Sequence, residues 1–145
     1  MRPDATSLAL LVHVAGAMVL VGALVTASAM AIAGWRDEAG TLRRLSYQTL
    51  LLVALPGYIV MRIGAEWVYS KEYPSTYDPT WIGIGRITAD GGGALLLIAL
   101  ILGGIGLRKS RGGGGGGLFK ASTAIATVLV AVYVITVWAM GAKPS

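Results

Sequence analysis

The chain has 145 residues, no cysteine and a formal net charge of +5; 55% of it is hydrophobic and only 13% charged, and its mean hydropathy is +0.71. A soluble domain carries about a quarter charged residues, so this chain has too few charges to cover a water-facing surface. The missing cysteines exclude disulfides, iron–sulfur clusters, thiolate zinc sites and cysteine nucleophiles. The basic residues stand in short caps between apolar runs, where they act as topology signals and headgroup contacts rather than a nucleic-acid surface.

Four stretches reach the roughly 20 apolar residues that a hydrocarbon span requires. The first runs from about Ser7 to Ala33, with His13 as its one ionisable residue. Ala27-Ser28-Ala29 resembles a signal-peptide cleavage box, but the apolar core is longer than the usual h-region of about 7–15 residues, and we read a retained helix. Ala23, Ala27 and Ala31 recur every four residues on it, a spacing that lets helix backbones approach closely in lipid. The second span, 45–68, contains Pro56-Gly57, which predicts a kink because proline removes a backbone hydrogen bond. The segment from Tyr69 to Trp81 follows, rich in aromatics and proline (Tyr73, Pro74, Tyr77, Pro79). With Trp67 and Trp138 it reads as an interfacial belt, or as a loop capping a pocket.

The third span, 84–107, carries Gly91 to Gly93 near its outer end, which either loosen the helix or admit a close neighbour. The run Gly112–Gly117 lacks the Gly-Lys-Ser/Thr ending of a phosphate loop and reads as a flexible tether. The fourth span, 118–140, repeats small residues at Thr123, Thr127 and Ala131. None of the four shows the apolar–polar alternation of barrel strands. The fold class is therefore all-α: one domain, a four-transmembrane-helix bundle running up, down, up and down. Arg36, Arg43 and Arg44 in loop 35–44, and Arg108, Lys109 and Arg111 in loop 108–117 with Lys120 beyond, outnumber Arg2, Lys71, Arg86 and Lys143 on the other side. By the positive-inside rule both loops face the cytoplasm of a plasma membrane and both termini face outward.

The ionisable residues at membrane depth are the informative ones, because charge there is expensive and faces a partner or a cavity. At a rise of about 1.5 Å per residue, Glu66 and Arg86 fall near the outer interface and Arg62 and Asp90 roughly 6–9 Å deeper. On antiparallel neighbours Arg62 then meets Asp90 and Glu66 meets Arg86, with each helix also carrying its own i,i+4 partner. His13 and Tyr133 fall in the Arg62–Asp90 layer. The expectation is an outward-facing polar cluster of His13, Arg62, Asp90 and Tyr133 with Glu66 and Arg86 as its mouth. Four charges that cancel also suffice simply to fix helix register. If the cluster has chemistry, His13 beside Asp90 can shuttle a proton, and His13 with Met61 or Met18 can hold copper(I), which accepts imidazole and thioether.

The opening HVAGAMVLVGA, with LLVALPGYIVMRIGAEW, WIGIGRITADGG and VWAMGAKP, resembles a group of small bacterial four-helix integral membrane proteins, themselves distantly similar to the copper-resistance D-type membrane family. The resemblance spans most of the chain. It implies a four-helix bundle in which the first-helix histidine, here His13, matters, and copper handling in the distant relatives only. The leading expectation is a non-enzymatic accessory or transport-related membrane component, working in the lipid bilayer as a homo-oligomer or within a larger complex. The rivals are a copper- or haem-handling protein using His13, with Met61, Tyr133 or a second protomer completing a haem site, and a proton-coupled small transporter acting as an oligomer.

Overall fold

The computed structural model describes residues 5–72 and 80–142, and all regular structure among them is helical. Helix α1 is Ala5–Ala33, α2 Thr41–Thr49, α3 Leu55–Glu72, α4 Thr80–Ser110 and α5 Gly116–Gly141. A π-helical turn, Leu50–Ala54, joins α2 to α3 into one rod. The four rods are long and apolar enough to cross a membrane, and they run a few residues past the apolar limits expected of spans 2, 3 and 4. Exposed Leu11, Met18, Ile63, Ile87 and Trp138 show how apolar the outer surface is.

The π turn lies where the sequence predicts a kink. Pro56 has no N–H to give to the carbonyl four residues back, and its ring would crowd that carbonyl. The preceding turn widens instead, and the Leu55 N–H reaches back to the Leu50 carbonyl. Beyond it, Gly57 presses against Leu20.

Glycines bring α1 against this rod. A Cβ on Gly16 would collide with the backbone of Met61, and one on Gly64 would stand 2.5 Å from the His13 nitrogen. Further along, the Ser46 hydroxyl donates to the Ala27 carbonyl at 2.7 Å. Across the interface residue numbers rise on α1 as they fall on its partner, so the two are antiparallel. Ala23, Ala27 and Ala31 are buried. Helices α4 and α5 pair the same way: the Ser122 hydroxyl donates to the Ala99 carbonyl at 2.6 Å, and Gly106 packs on Phe119. The buried face of α5 is Phe119, Ser122, Ala126, Leu129, Tyr133 and Thr136. Of the small-residue stripe expected there, Thr123 is buried, but Thr127 and Ala131 point outward. Spacings of three and four alternate on a real helix face, and a strict four-residue repeat drifts off it.

The glycine-rich segment is a built turn, which corrects the expectation of a tether. Gly114 N–H bonds to the Lys109 carbonyl at 3.1 Å and Gly113 N–H to the Ser110 carbonyl at 3.2 Å. This is the Schellman arrangement, with Gly113 at φ 84° in its left-handed position. Gly115, at φ 86°, then caps α5 and lies against the Gly106 carbonyl. At the other hairpin of this end, both Asp37 carboxylate oxygens accept backbone N–H groups, from Ala39 at 3.1 Å and Leu42 at 2.9 Å.

Candidate functional site

The second rod and α4 touch sparingly along their length, because tyrosines hold them apart. Tyr47 rests on Gly103 and Gly104, and Tyr58 rests on Gly93 while its hydroxyl donates to the Ala89 carbonyl at 3.0 Å. A third tyrosine, Tyr133 of α5, rests on Gly92. Each seat is a glycine because a Cβ there would occupy the phenol's place. Gly92 and Gly93 therefore admit close neighbours inside a continuous α4, the second of the two roles the sequence allowed.

Beyond Tyr58 the gap widens into a cavity of about 350 Å³ walled by all four rods. Its lining is mostly apolar, with Ala17, Leu20 and Val21 from α1, Ile82 and Ala89 from α4, and Val137 from α5. The polar contributors are His13, Thr88 and Thr136, Tyr133 adds its ring, and Arg62, Glu66 and Arg86 stand where it opens. Thr136 donates to its own Val132 carbonyl at 2.8 Å and lies 3.3 Å from the Thr88 hydroxyl.

At the mouth, Arg62 holds two acids at once. Its guanidinium is 2.7 Å from Glu66, one helical turn along α3, and 2.9 Å from Asp90 on α4. Arg86 completes the chain of charges at 3.9 Å from the second Glu66 oxygen, and lies over the Tyr69 ring at 4.7 Å. These are the partners that the antiparallel register predicts, with the i,i+4 Arg62–Glu66 contact the shortest. The two guanidinium and two carboxylate groups of this chain of ion pairs cancel one another.

His13, Arg62, Asp90 and Tyr133 lie at one level: His13 stands against Gly64, Arg62 reaches Asp90, and Tyr133 meets Gly92 beside it. They do not form one cluster. Asp90 is exposed, pairs with Arg62 and does not line the cavity. His13 bonds to the second rod instead, its Nδ1 donating to the Met61 carbonyl at 2.9 Å. A carbonyl only accepts, so Nδ1 carries a proton, and the tautomer this bond selects leaves the lone pair on Nε2. The Tyr133 hydroxyl is sealed among the helices with no hydrogen-bond partner among the described residues. Met61 is buried and lines the cavity, whereas Met18 is 71% exposed, because five residues along a helix turn it well away from His13. Among the described residues no three His, Asp or Glu side chains gather as a metal site would require.

Tyr69 and Trp81 are helical and line the cavity; Tyr73, Pro74, Tyr77 and Pro79 of the expected loop lie outside the described residues. Sequence reasoning missed the roles of Tyr58, Thr88 and Thr136. The signal for Thr136 was its place one turn beyond Tyr133; Tyr58 is legible only once α4's glycines are opposite it. Compared with protein families, curated proteins and solved structures, the chain matches none.

Proposed function

We propose that the chain is an integral membrane protein of four spans, up, down, up and down, with loops 35–44 and 108–117 in the cytoplasm and both termini outside. Its outward cavity holds a small, uncharged, largely apolar molecule, and the protein serves as a non-enzymatic binding or transport-related component. The cavity between four rods carries this reading. Ligand sites are concave, mostly apolar and sparsely polar, and the described charges at the mouth are taken up by one another rather than left for an ionic guest. His13 Nε2 and the threonine hydroxyls are the groups available to orient a guest.

The test is an organic extract of the purified protein, read by mass spectrometry. Wild type is expected to release one small molecule in near-equimolar amount. Ala17→Trp, which fills the cavity from α1, is expected to lose it while keeping its melting transition in detergent. A wild-type extract without such a molecule, or equal recovery from both proteins, overturns the reading.

A second reading, in keeping with the sequence resemblance, is copper(I) held by His13 and Met61. It is favoured by the Nδ1–carbonyl tie, the kind of bond that fixes the tautomer and orientation of a ligating histidine, and by Met61 lining the same cavity. Protein loaded with copper(I) under reducing conditions and desalted should retain one equivalent, lost in Met61→Leu. No retention by wild type excludes it.

A further inference from the structure

At the opposite end of the molecule the second rod and α4 part again, on the other side of Tyr58. Here they leave an open groove of about 760 Å³, roomier than the outer cavity, floored by Tyr47 and walled by leucines of both rods and isoleucines of α4. Three arginines stand around its end: Arg44 from α2, and Arg108 and Arg111 from the end of α4 and its turn. All three are exposed, and none of their side chains has an ion pair or hydrogen bond among the described residues. Among the described residues no acidic side chain lines the groove.

This arrangement differs from an ordinary scatter of surface charge. Arg108 follows the rule that cations suit a helix C-terminus. Arg44 breaks it, since it sits in the first turn of α2, where the helix dipole disfavours a cation. The neighbouring Arg43 finds a partner in the Asp37 carbonyl at 3.2 Å; Arg44 does not. Three guanidinium groups around one opening repel each other unless an anion lies between them, and guanidinium is suited to the bidentate recognition of phosphate. The apolar groove behind them calls for an occupant with a long hydrocarbon tail.

We infer that this groove binds an anionic phospholipid, its phosphate among Arg44, Arg108 and Arg111 and an acyl chain along the wall between α2 and α4. The inference rests on the membrane reading above, which sets this end at the cytoplasmic leaflet, where anionic lipids attract basic clusters. Each basic residue near such a surface is worth about fivefold in binding. Loss of all three should weaken the anionic lipid on the order of a hundredfold.

The experiment is native mass spectrometry of the full chain in detergent, titrated with dioleoyl phosphatidylglycerol or dioleoyl phosphatidylcholine. Wild type is expected to form a one-to-one phosphatidylglycerol adduct well below the concentration at which phosphatidylcholine binds. The triple variant Arg44→Gln, Arg108→Gln, Arg111→Gln should lose that preference. A control of equal charge change, Arg36→Gln, Lys109→Gln, Lys120→Gln, should keep it. Equal binding of the two lipids by wild type overturns the proposal, as does a control that loses the preference equally, which would mark general surface charge. Displacement of phosphatidylglycerol by excess inorganic phosphate also overturns it, because the site would then be one for free phosphate. Alkaline carbonate extraction of cell membranes separates the two readings. A chain that stays with the membrane but shows no lipid preference sinks the groove alone, and a chain released into the wash sinks the membrane reading with it.

Discussion

Gly64 and Gly16 set how near α1 comes to its partner, and each does so by having nothing where a side chain would be. Any Cβ at Gly64 would lie 2.5 Å from the His13 nitrogen, so Gly64→Ala must push the rods apart. That also lengthens the His13–Met61 hydrogen bond, which depends on this approach. The expected cost is about 1–3 kcal/mol, read as a lower thermal midpoint in detergent. Gly22→Ala on α1 faces open space and should leave the midpoint level or slightly raised; equal loss in both would mean that the contact does not matter. The mouth offers a second residue-scale test. Arg62→Leu leaves Glu66 and Asp90 facing each other's charge without a cation between them, and Asp90→Leu leaves Arg62 with Glu66 only. Each single variant should lower the midpoint, and the double variant should recover part of the loss, with a coupling of about 1 kcal/mol because both side chains are partly exposed. Strict additivity would show that the pair contributes nothing.

At the scale of elements, the glycine-rich turn separates two pictures of one sequence. A tether tolerates alanine anywhere, whereas a Schellman turn does not. Gly113→Ala forces a Cβ residue to φ 84° and should cost about 1 kcal/mol. Gly115→Ala adds a collision with the Gly106 carbonyl and should cost more. Gly117→Ala, inside α5 with open space around it, should be neutral or stabilising by up to about 1 kcal/mol. Equal midpoints for all three would restore the tether. The same contrast shows what the sequence holds and what it hides. Hydrocarbon length gives the four spans, because each apolar run is unbroken, and charge spacing gives the partners of Arg62 and Glu66, because both follow from a fixed rise per residue. The π turn before Pro56 and the left-handed caps of the glycine run were not legible: proline predicts disruption without its form, and six consecutive glycines permit several backbones. The cavity was half legible. Its ionic rim announces itself in an apolar span, but the tyrosine–glycine seats that hold it open join residues distant in sequence.

For the whole molecule the question is which end faces which compartment, since the outer cavity and the arginine groove occupy opposite ends. The bias comes from arginine and lysine in loops 35–44 and 108–117, and translocating such loops is disfavoured. The absence of cysteine makes this measurable without first removing any. Glu38→Cys and Ser110→Cys each introduce one thiol at the groove end, in exposed positions. Ala142→Cys, also exposed, places one at the cavity end, just past α5. In intact cells a membrane-impermeant maleimide should label Ala142→Cys and spare the other two until the membrane is opened by detergent. The reverse pattern would invert the molecule, sending the arginine groove outward and the cavity inward, and the lipid and ligand readings would exchange leaflets. Labelling of all three in intact cells would contradict any arrangement in which four spans separate the two ends, because α5 alone is long enough to hold a bilayer between its turn and its tip.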